Sequence, residues 1–290
     1  MRFRSKQTFF GFTRRRAFTI VELLVAISIL TLIVLVLYGL FDQVQKALRS
    51  NVAQVDVHEG GRAFMELASR EMEQMQAGNV LTNVNLFARF TATPFRQPLL
   101  SAGEQRVNEL EEVFFLSLLN KHWIGTGYRV LALNSNGIAT NFAKTGVGTL
   151  CRFRLSNHVA NVRNPPLYAR VMDVTPTNFA NFQRVIDGVV HFRMRVYDQN
   201  GILITNNFNP SILSGVLVST NVYNNDVEYG YAFTNKALPA YVEIELGVLE
   251  PHVLERYRSY PNAIVASNYL ARQAGAIHLF QQRVPIRMAK

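Results

Sequence analysis

The chain has 290 residues, 49% of them hydrophobic, with 20 Phe and 11 Tyr, enough to build a sizeable core, and it carries 30 Lys+Arg against 20 Asp+Glu, a formal +10. Six of the basic residues (Arg2, Arg4, Lys6, Arg14, Arg15 and Arg16) fall in the first 17 positions, which hold no acidic residue; the rest is nearly balanced, 24 against 20, which argues against a clustered basic face for nucleic acid. Cys151 is the single cysteine, so an intrachain disulfide is excluded, and its alternating context "TLCRFRLS" predicts a buried core thiol.

The first element in chain order is apolar. Leu23 to Phe41 is nineteen residues without a charge, close to the roughly 20 that a helix needs to cross a bilayer core. The basic residues ahead of it predict a cytoplasmic N-terminus and an exported remainder. A cleaved secretory signal fits less well, because the run exceeds an h-region of about 7 to 15 residues and "SNVAQVD" after it is a poor cleavage site. Glu22, at the start of this run, is the residue an ordinary anchor does not explain: a carboxylate near a bilayer centre costs on the order of 2.5 to 3.5 kcal/mol.

The stretch Arg14-Arg15-Arg16-Ala17-Phe18-Thr19-Ile20-Val21-Glu22-Leu23-Leu24-Val25 resembles the signature of type IV prepilins and type II secretion pseudopilins: a basic leader, a small residue, an aromatic residue, then Thr, two apolar residues, Glu and an apolar run. The resemblance implies that a prepilin peptidase cuts between Ala17 and Phe18 and methylates the new amine of Phe18. It also implies that Glu22, fifth in the mature chain, pairs with the N-terminal ammonium of an adjacent subunit. Arg14, Arg15 and Arg16 would set the topology. The family usually has Gly at the position of Ala17, a departure that bears on processing efficiency. A second candidate, Gly11-Phe12-Thr13, fails because Arg14 and Arg16 would follow it where the apolar helix has to begin.

Beyond the span, Val44, Ala47, Leu48, Val52 and Val55 continue a helical period, predicting one helix from Phe18 to about His58, broken or bent at Gly60-Gly61. "RAFMELASREMEQM" then predicts a second helix with Phe64, Leu67, Ala68, Met72 and Met75 on its core side. From Val80 the pattern becomes short alternating strands. "NSNG" (134–137) and "DQNG" (198–201) are hairpin signals; "RVIDGVVHFRMRVYDQNG" reads as two strands; "LPAYVEIELGVLE" places Val242, Ile244 and Leu246 inward and Glu243 and Glu245 outward. The Asn-rich "TNNFNPSILSGVLVSTNVYNNDVEYG" reads as a mobile insertion. The expected organisation is a leader over 1–17, a transmembrane helix over 18–41, a stalk and second helix over 42–79 and a β-rich head over 80–290.

Ile186, Gly188, Val189, Phe192, Leu238, Pro239, Ala240, Val242 and Ile244, with Val284 and Ile286, resemble the C-terminal half of J-type minor pseudopilins, as "FMELASREMEQM" resembles the helix after their stalk. The fold implied is α+β, a long N-terminal hydrophobic helix packed on an antiparallel sheet. The function implied is a minor pseudopilin at the tip of a periplasmic pseudopilus; a type IV pilus minor pilin for assembly, adhesion or DNA uptake is the alternative. Expected partners are other pilins or pseudopilins through the N-terminal helix, the prepilin peptidase and the inner membrane, with the head in the periplasm and no nucleic acid unless DNA uptake applies. No catalytic residue, metal ligand or cofactor is expected. His58, His122, His158, His191, His252 and His278 are scattered without zinc spacing, "GTGYRV" lacks a following helix pattern, there is no P-loop or G-x-S-x-G, and Glu111-Glu112 points two ways. A signal-anchored enzyme retaining residues 1–17 is the contrasting class.

Overall fold

The computed structural model describes residues 19–78, 83–91, 94–99, 103–143, 146–159, 167–205, 215–223 and 226–287. The chain divides into two compact units at Asn51/Val52.

In the first unit, α1 (Ile20–Met72) begins where the apolar run begins. The side chains of its apolar stretch are exposed, among them Leu23, Ile27, Leu30, Val34, Leu37 and Phe41. Two hydroxyls in that stretch bond within the helix, Ser28 Oγ to Leu24 O (2.8 Å) and Thr31 Oγ1 to Ile27 O (2.7 Å), so neither needs water. By length and composition this helix can cross a membrane.

The second unit contains the rest of α1 and an antiparallel sheet. Its strands are β1 (Leu86–Phe90), β2 (Phe95–Pro98), β3 (Gln105–Asn108), β4 (Glu111–Leu119), β5 (His122–Leu133), β6 (Ala139–Phe142), β7 (Gly148–His158), β8 (Gln183–Tyr197), β9 (Val216–Tyr223), β10 (Asp226–Phe233), β11 (Tyr241–Leu249) and β12 (Ile277–Pro285). The main sheet runs β12-β11-β8-β7-β5-β4-β1-β10-β9, with β6 paired to β5; β2 and β3 form a separate hairpin. Among the described residues it also holds four short α-helices, α2 (Leu167–Val171), α3 (Pro176–Phe179), α4 (Pro251–Ser259) and α5 (Ala263–Ala271).

The main core gathers Val57, Phe64, Met65, Ala68 and Met72 of α1 with inward residues of β1, β4, β5, β8, β11 and β12. Val253 and Leu254 of α4 and Leu270 of α5 pack with Val190 and Leu249, while Leu167 and Val171 of α2 pack with Phe114 and Leu116. The architecture is α+β, a long N-terminal apolar helix followed by an antiparallel sheet head, consistent with a pilin-like fold.

Several local expectations change. α1 does not break at Gly60-Gly61: it runs on to Met72, so the two expected helices are one. A Cβ on Gly61 would lie 2.3 Å from the Phe280 ring, and one on Gly60 3.3 Å from Ile186 Cδ1. These glycines let the helix sit close on the sheet, and packing outweighs their cost of about 1 kcal/mol each in propensity. Phe64, Ala68, Met72 and Met75 are buried as the period implies, whereas Leu67 is exposed and Met65 takes the inward place.

The two strands expected in "RVIDGVVHFRMRVY" are the single 15-residue β8. Gly188 has φ +71°, and three residues of β8 span two of β7 between Leu150↔Ile186 and Gly148↔Val189. This is a bulge at a residue free to adopt positive φ, and it re-aims the side chains: Val189 enters the main core and Val190 the layer under α4. The Asn-rich stretch expected to be a mobile insertion contributes the β9–β10 hairpin, which pairs with β1; its residues 206–214 lie outside the described ones. "NSNG" turns β5 into β6, and "DQNG" turns β8 back to a single bridge, Tyr197↔Leu203.

Candidate functional site: the N-terminal helix and its head

Glu22 lies in the first turn of α1 and is exposed. Thr19 Oγ1 accepts the Glu22 N–H at 3.2 Å, and Thr19 O accepts the Leu23 N–H at 3.2 Å. Thr19 therefore caps the helix, and T-x-x-E is the spacing of a capping box. A carboxylate in the first turn also meets the positive end of the helix dipole, worth about 0.3–1 kcal/mol. The motif thus has a local meaning beside any intermolecular one, because it fixes where the helix starts. Sequence reading singled out Glu22 and passed over Thr19, although the capping-box spacing was the signal that could have found it. Ala17, Phe18, Arg14, Arg15 and Arg16 lie outside the described residues.

Buried ionic side chains in the head are used to tie elements together. Arg129, fully buried in β5, donates from Nε to Glu112 Oε2 (2.8 Å), from Nη1 to Asp173 O (2.8 Å) and from Nη2 to Met172 O (2.6 Å). Phe142, Phe179 and Phe182 surround its guanidinium at 5.1–5.4 Å. Burial lowers its pKa and the Glu112 carboxylate opposes that shift. The arrangement pins the segment after α2 to the sheet. Glu111 and Glu112 do point two ways: Glu111 Oε2 accepts the Met194 N–H at 2.7 Å, while Glu112 also pairs with Arg89.

Glu71, in the last turn of α1, accepts from Tyr128 Oη (2.6 Å) and pairs with Arg152, fixing the helix end to β5 and β7. Glu243 and Glu245, expected outward, do lie on the face opposite Val242, Ile244 and Leu246, but they are covered. Glu243 is buried and accepts from Tyr197 Oη at 2.8 Å. Glu245 accepts from Arg193 Nη2 (2.6 Å) and meets His191 Nε2 at 3.2 Å. His191 Nδ1 accepts the Glu109 N–H at 3.0 Å, so Nε2 carries the ring proton. Burial would raise the Glu245 carboxyl, but the His191 bond and the Arg193 and Arg195 guanidiniums outweigh it and bring it down to about 2. Burial lowers the His191 pKa.

The remaining histidines are less scattered than their spacing implies. His278 Nε2 lies 2.9 Å from Glu250 Oε1 and His252 Nδ1 3.3 Å from Glu250 Oε2, with the His58 ring edge-on to His278. Among the described residues no group of three or more His, Cys, Asp or Glu is arranged to hold a metal ion. Cys151 is buried, and burial pushes its thiol up to about 12. "GTGYRV" lies inside β5 rather than at a strand-to-helix turn, so it does not form a dinucleotide loop.

Residues 12–38 match the family model of the prokaryotic N-terminal methylation motif, the signature of type IV prepilin-like proteins. The chain carries a prepilin-like N-terminal motif. No curated protein and no solved structure matches it. The motif supports a type IV pilin-like or pseudopilin protein; the family that carries it is structural, and its members are processed by a prepilin peptidase and assemble with other pilins or pseudopilins. Its apolar N-terminal helix fits membrane anchoring.

Proposed function

We propose that this prepilin-like protein is a J-type minor pseudopilin of a type II secretion-like system, assembled at the tip of a periplasmic pseudopilus that supports protein export. The observation that carries the assembly reading is the methylation motif placed at the start of a helix whose apolar side chains are uncovered. Such a surface has to meet lipid or other apolar helices. The J-type assignment is supported by Ile186, Gly188, Val189 and Phe192 of β8, Val242 and Ile244 of β11 and Val284 of β12, which lie on three adjacent strands at one end of the sheet.

In this reading the peptidase cuts between Ala17 and Phe18 on the cytoplasmic face, Arg14, Arg15 and Arg16 having held the leader there. The N-methylated Phe18 amine then pairs with Glu22 of a neighbouring subunit. Each charge alone is costly in lipid, and neutralisation on assembly sets the register of adjacent helices; a buried ion pair specifies partners more than it adds stability. Deletion of the gene tests the assignment. Loss of secretin-dependent export, restored by wild type and not by Glu22→Ala, is expected. Normal export with lost pilus display, adhesion or DNA uptake would move the protein to a type IV pilus.

A further inference from the structure

A cavity of ≈ 670 Å³ opens between the β5–β6 turn at 134–137, the start of β7, β8 and the last turn of α4. Its volume falls in the range of small-ligand sites, about 300–1,000 Å³. Leu131, Val147 and Tyr257 give it apolar walls. Arg184, Asp187 and Arg258 are the charged groups that line it, which leaves a surplus of one positive charge.

Asp187 is already engaged. Arg258 donates from Nη1 to Asp187 Oδ2 (3.0 Å) and from Nη2 to Oδ1 (2.7 Å), while Thr149 Oγ1 (2.7 Å) and Gly188 N–H (2.9 Å) also donate to Oδ1. Burial would raise the Asp187 carboxyl, but the bonds from Arg258 and Thr149 outweigh it and hold it below its ordinary value. Asp187 and Arg258 are therefore a closed pair of ions, and the surplus charge belongs to Arg184. Its one ionic contact among the described residues is Nη2 to Asp187 Oδ2 at 3.6 Å, longer than the roughly 2.7–3.2 Å of an N–H···O bond, and its side chain is 53% exposed. The guanidinium is nevertheless placed. Arg184 stands on β8, and the β5–β6 turn comes close beside it, since a Cβ on Gly137 (φ +74°) would lie 3.7 Å from Arg184 Nη1. That turn is tied within itself, Asn134 Oδ1 accepting the N–H groups of Asn136 (3.0 Å) and Ile138 (2.9 Å).

We propose that this cavity is a binding site for a single carboxylate carried on an apolar body, with the Arg184 guanidinium as the partner of the anion. The planar fork of an arginine matches a carboxylate through two parallel N–H···O bonds. One surplus charge suits a monoanion: a phosphate dianion would leave the cavity negative beside Asp187, and a metal cation would meet two guanidiniums. Leu131, Val147 and Tyr257 supply the surface against which the apolar body packs. The same chemistry is offered by a free small carboxylate and by an acidic side chain of another protein. The site does not depend on how the N-terminal helix assembles, because all of its residues belong to the head.

The test titrates the full-length chain in detergent with phenylacetate, followed by saturation-transfer NMR of the ring protons. Saturable binding is expected. Arg184→Gln, which removes the charge at a half-exposed position, should weaken it about tenfold or more at unchanged melting temperature, the loss expected of a charge-assisted bond. Arg184→Lys should fall between the two, and 2-phenylethanol and phenylphosphonate should bind more weakly than phenylacetate. Absence of saturable binding, equal affinity of wild type and Arg184→Gln, or a preference for the neutral or dianionic analogue would overturn the proposal. A second arm separates the sources of the carboxylate. Native membranes containing Arg184→Lys are treated with a carbodiimide, which joins the introduced amine to a carboxylate in contact with it, and the product is read by mass spectrometry. An amide to another protein identifies an acidic side chain as the occupant; phenylacetate binding without such a product identifies a free small carboxylate.

Discussion

Gly61 offers a test with opposite signs for two neighbouring residues. In an exposed helix interior, Gly→Ala gains about 1 kcal/mol in propensity. At Gly60 the new methyl meets Ile186 Cδ1 at 3.3 Å, a contact that a small shift accommodates, so Gly60→Ala should keep most of that gain. At Gly61 it would lie 2.3 Å from two atoms of the Phe280 ring. Overpacking of this kind costs about 1–3 kcal/mol, which cancels or exceeds the propensity gain. Gly61→Ala should therefore be less stable than Gly60→Ala by about 1–3 kcal/mol, or several degrees in melting temperature for a unit of this size. The assay is denaturant and thermal unfolding of the full chain in detergent, with Phe280→Ala completing a double-mutant cycle; removing the ring should restore the gain and give a coupling of about 1 kcal/mol or more. Equal stabilisation by both alanines, with no coupling to Phe280, would refute the close-packing account and return the pair to an exposed or hinging role.

Three further outcomes follow from the head. Arg129→Met should destabilise by about 3–5 kcal/mol, because Glu112 would remain buried without the guanidinium that satisfies it, and Arg129→Lys should rescue little, since one ammonium cannot reach Glu112 and two carbonyls in the same geometry; chemical denaturation reads both. Glu245, down at about 2 from an ordinary 4.5, contributes stability that is complete above pH 4.5 and is lost as pH falls through 2, on the order of 3 kcal/mol. His191, lowered by burial, acts with the same sign from its ordinary 6.5 downward, because the unfolded chain takes up the proton first; acid unfolding of Glu245→Gln should have a shallower pH dependence than wild type. Cys151, buried and pushed up to about 12, should resist iodoacetamide at pH 8 in the native protein and react on unfolding.

The sequence was most legible where one local rule decides the outcome. Nineteen uncharged residues after six basic ones mark the apolar helix, period-two alternation marks β8 and β11, and Asn-Gly marks the turn at Gly137. Long-range contacts were not legible. Gly60-Gly61 carries a helix-breaking propensity, and only Phe280, more than two hundred positions later, shows why a missing Cβ is useful there. Glu243 and Glu245 alternate outward as strand periodicity requires, yet Tyr197, His191 and Arg193 of the adjacent β8 cover them. His252 and His278 meet at Glu250, with the His58 ring against His278, only because α1, α4 and β12 converge. Of the candidate site, Glu22 could be read directly from its cost in an apolar span, whereas Thr19 could be found only through the T-x-x-E spacing of a capping box, which the structure bears out.

The central claim is that this chain enters a filament pathway through its N-terminus, and the mature terminus tests it most directly. Intact-mass and terminal-peptide mass spectrometry, with and without the prepilin peptidase, should find a chain beginning at N-methylated Phe18 only when the peptidase is present. A chain that still carries Arg14 to Ala17 in its presence would contradict the account and leave a signal-anchored protein whose Glu22 serves the helix start alone.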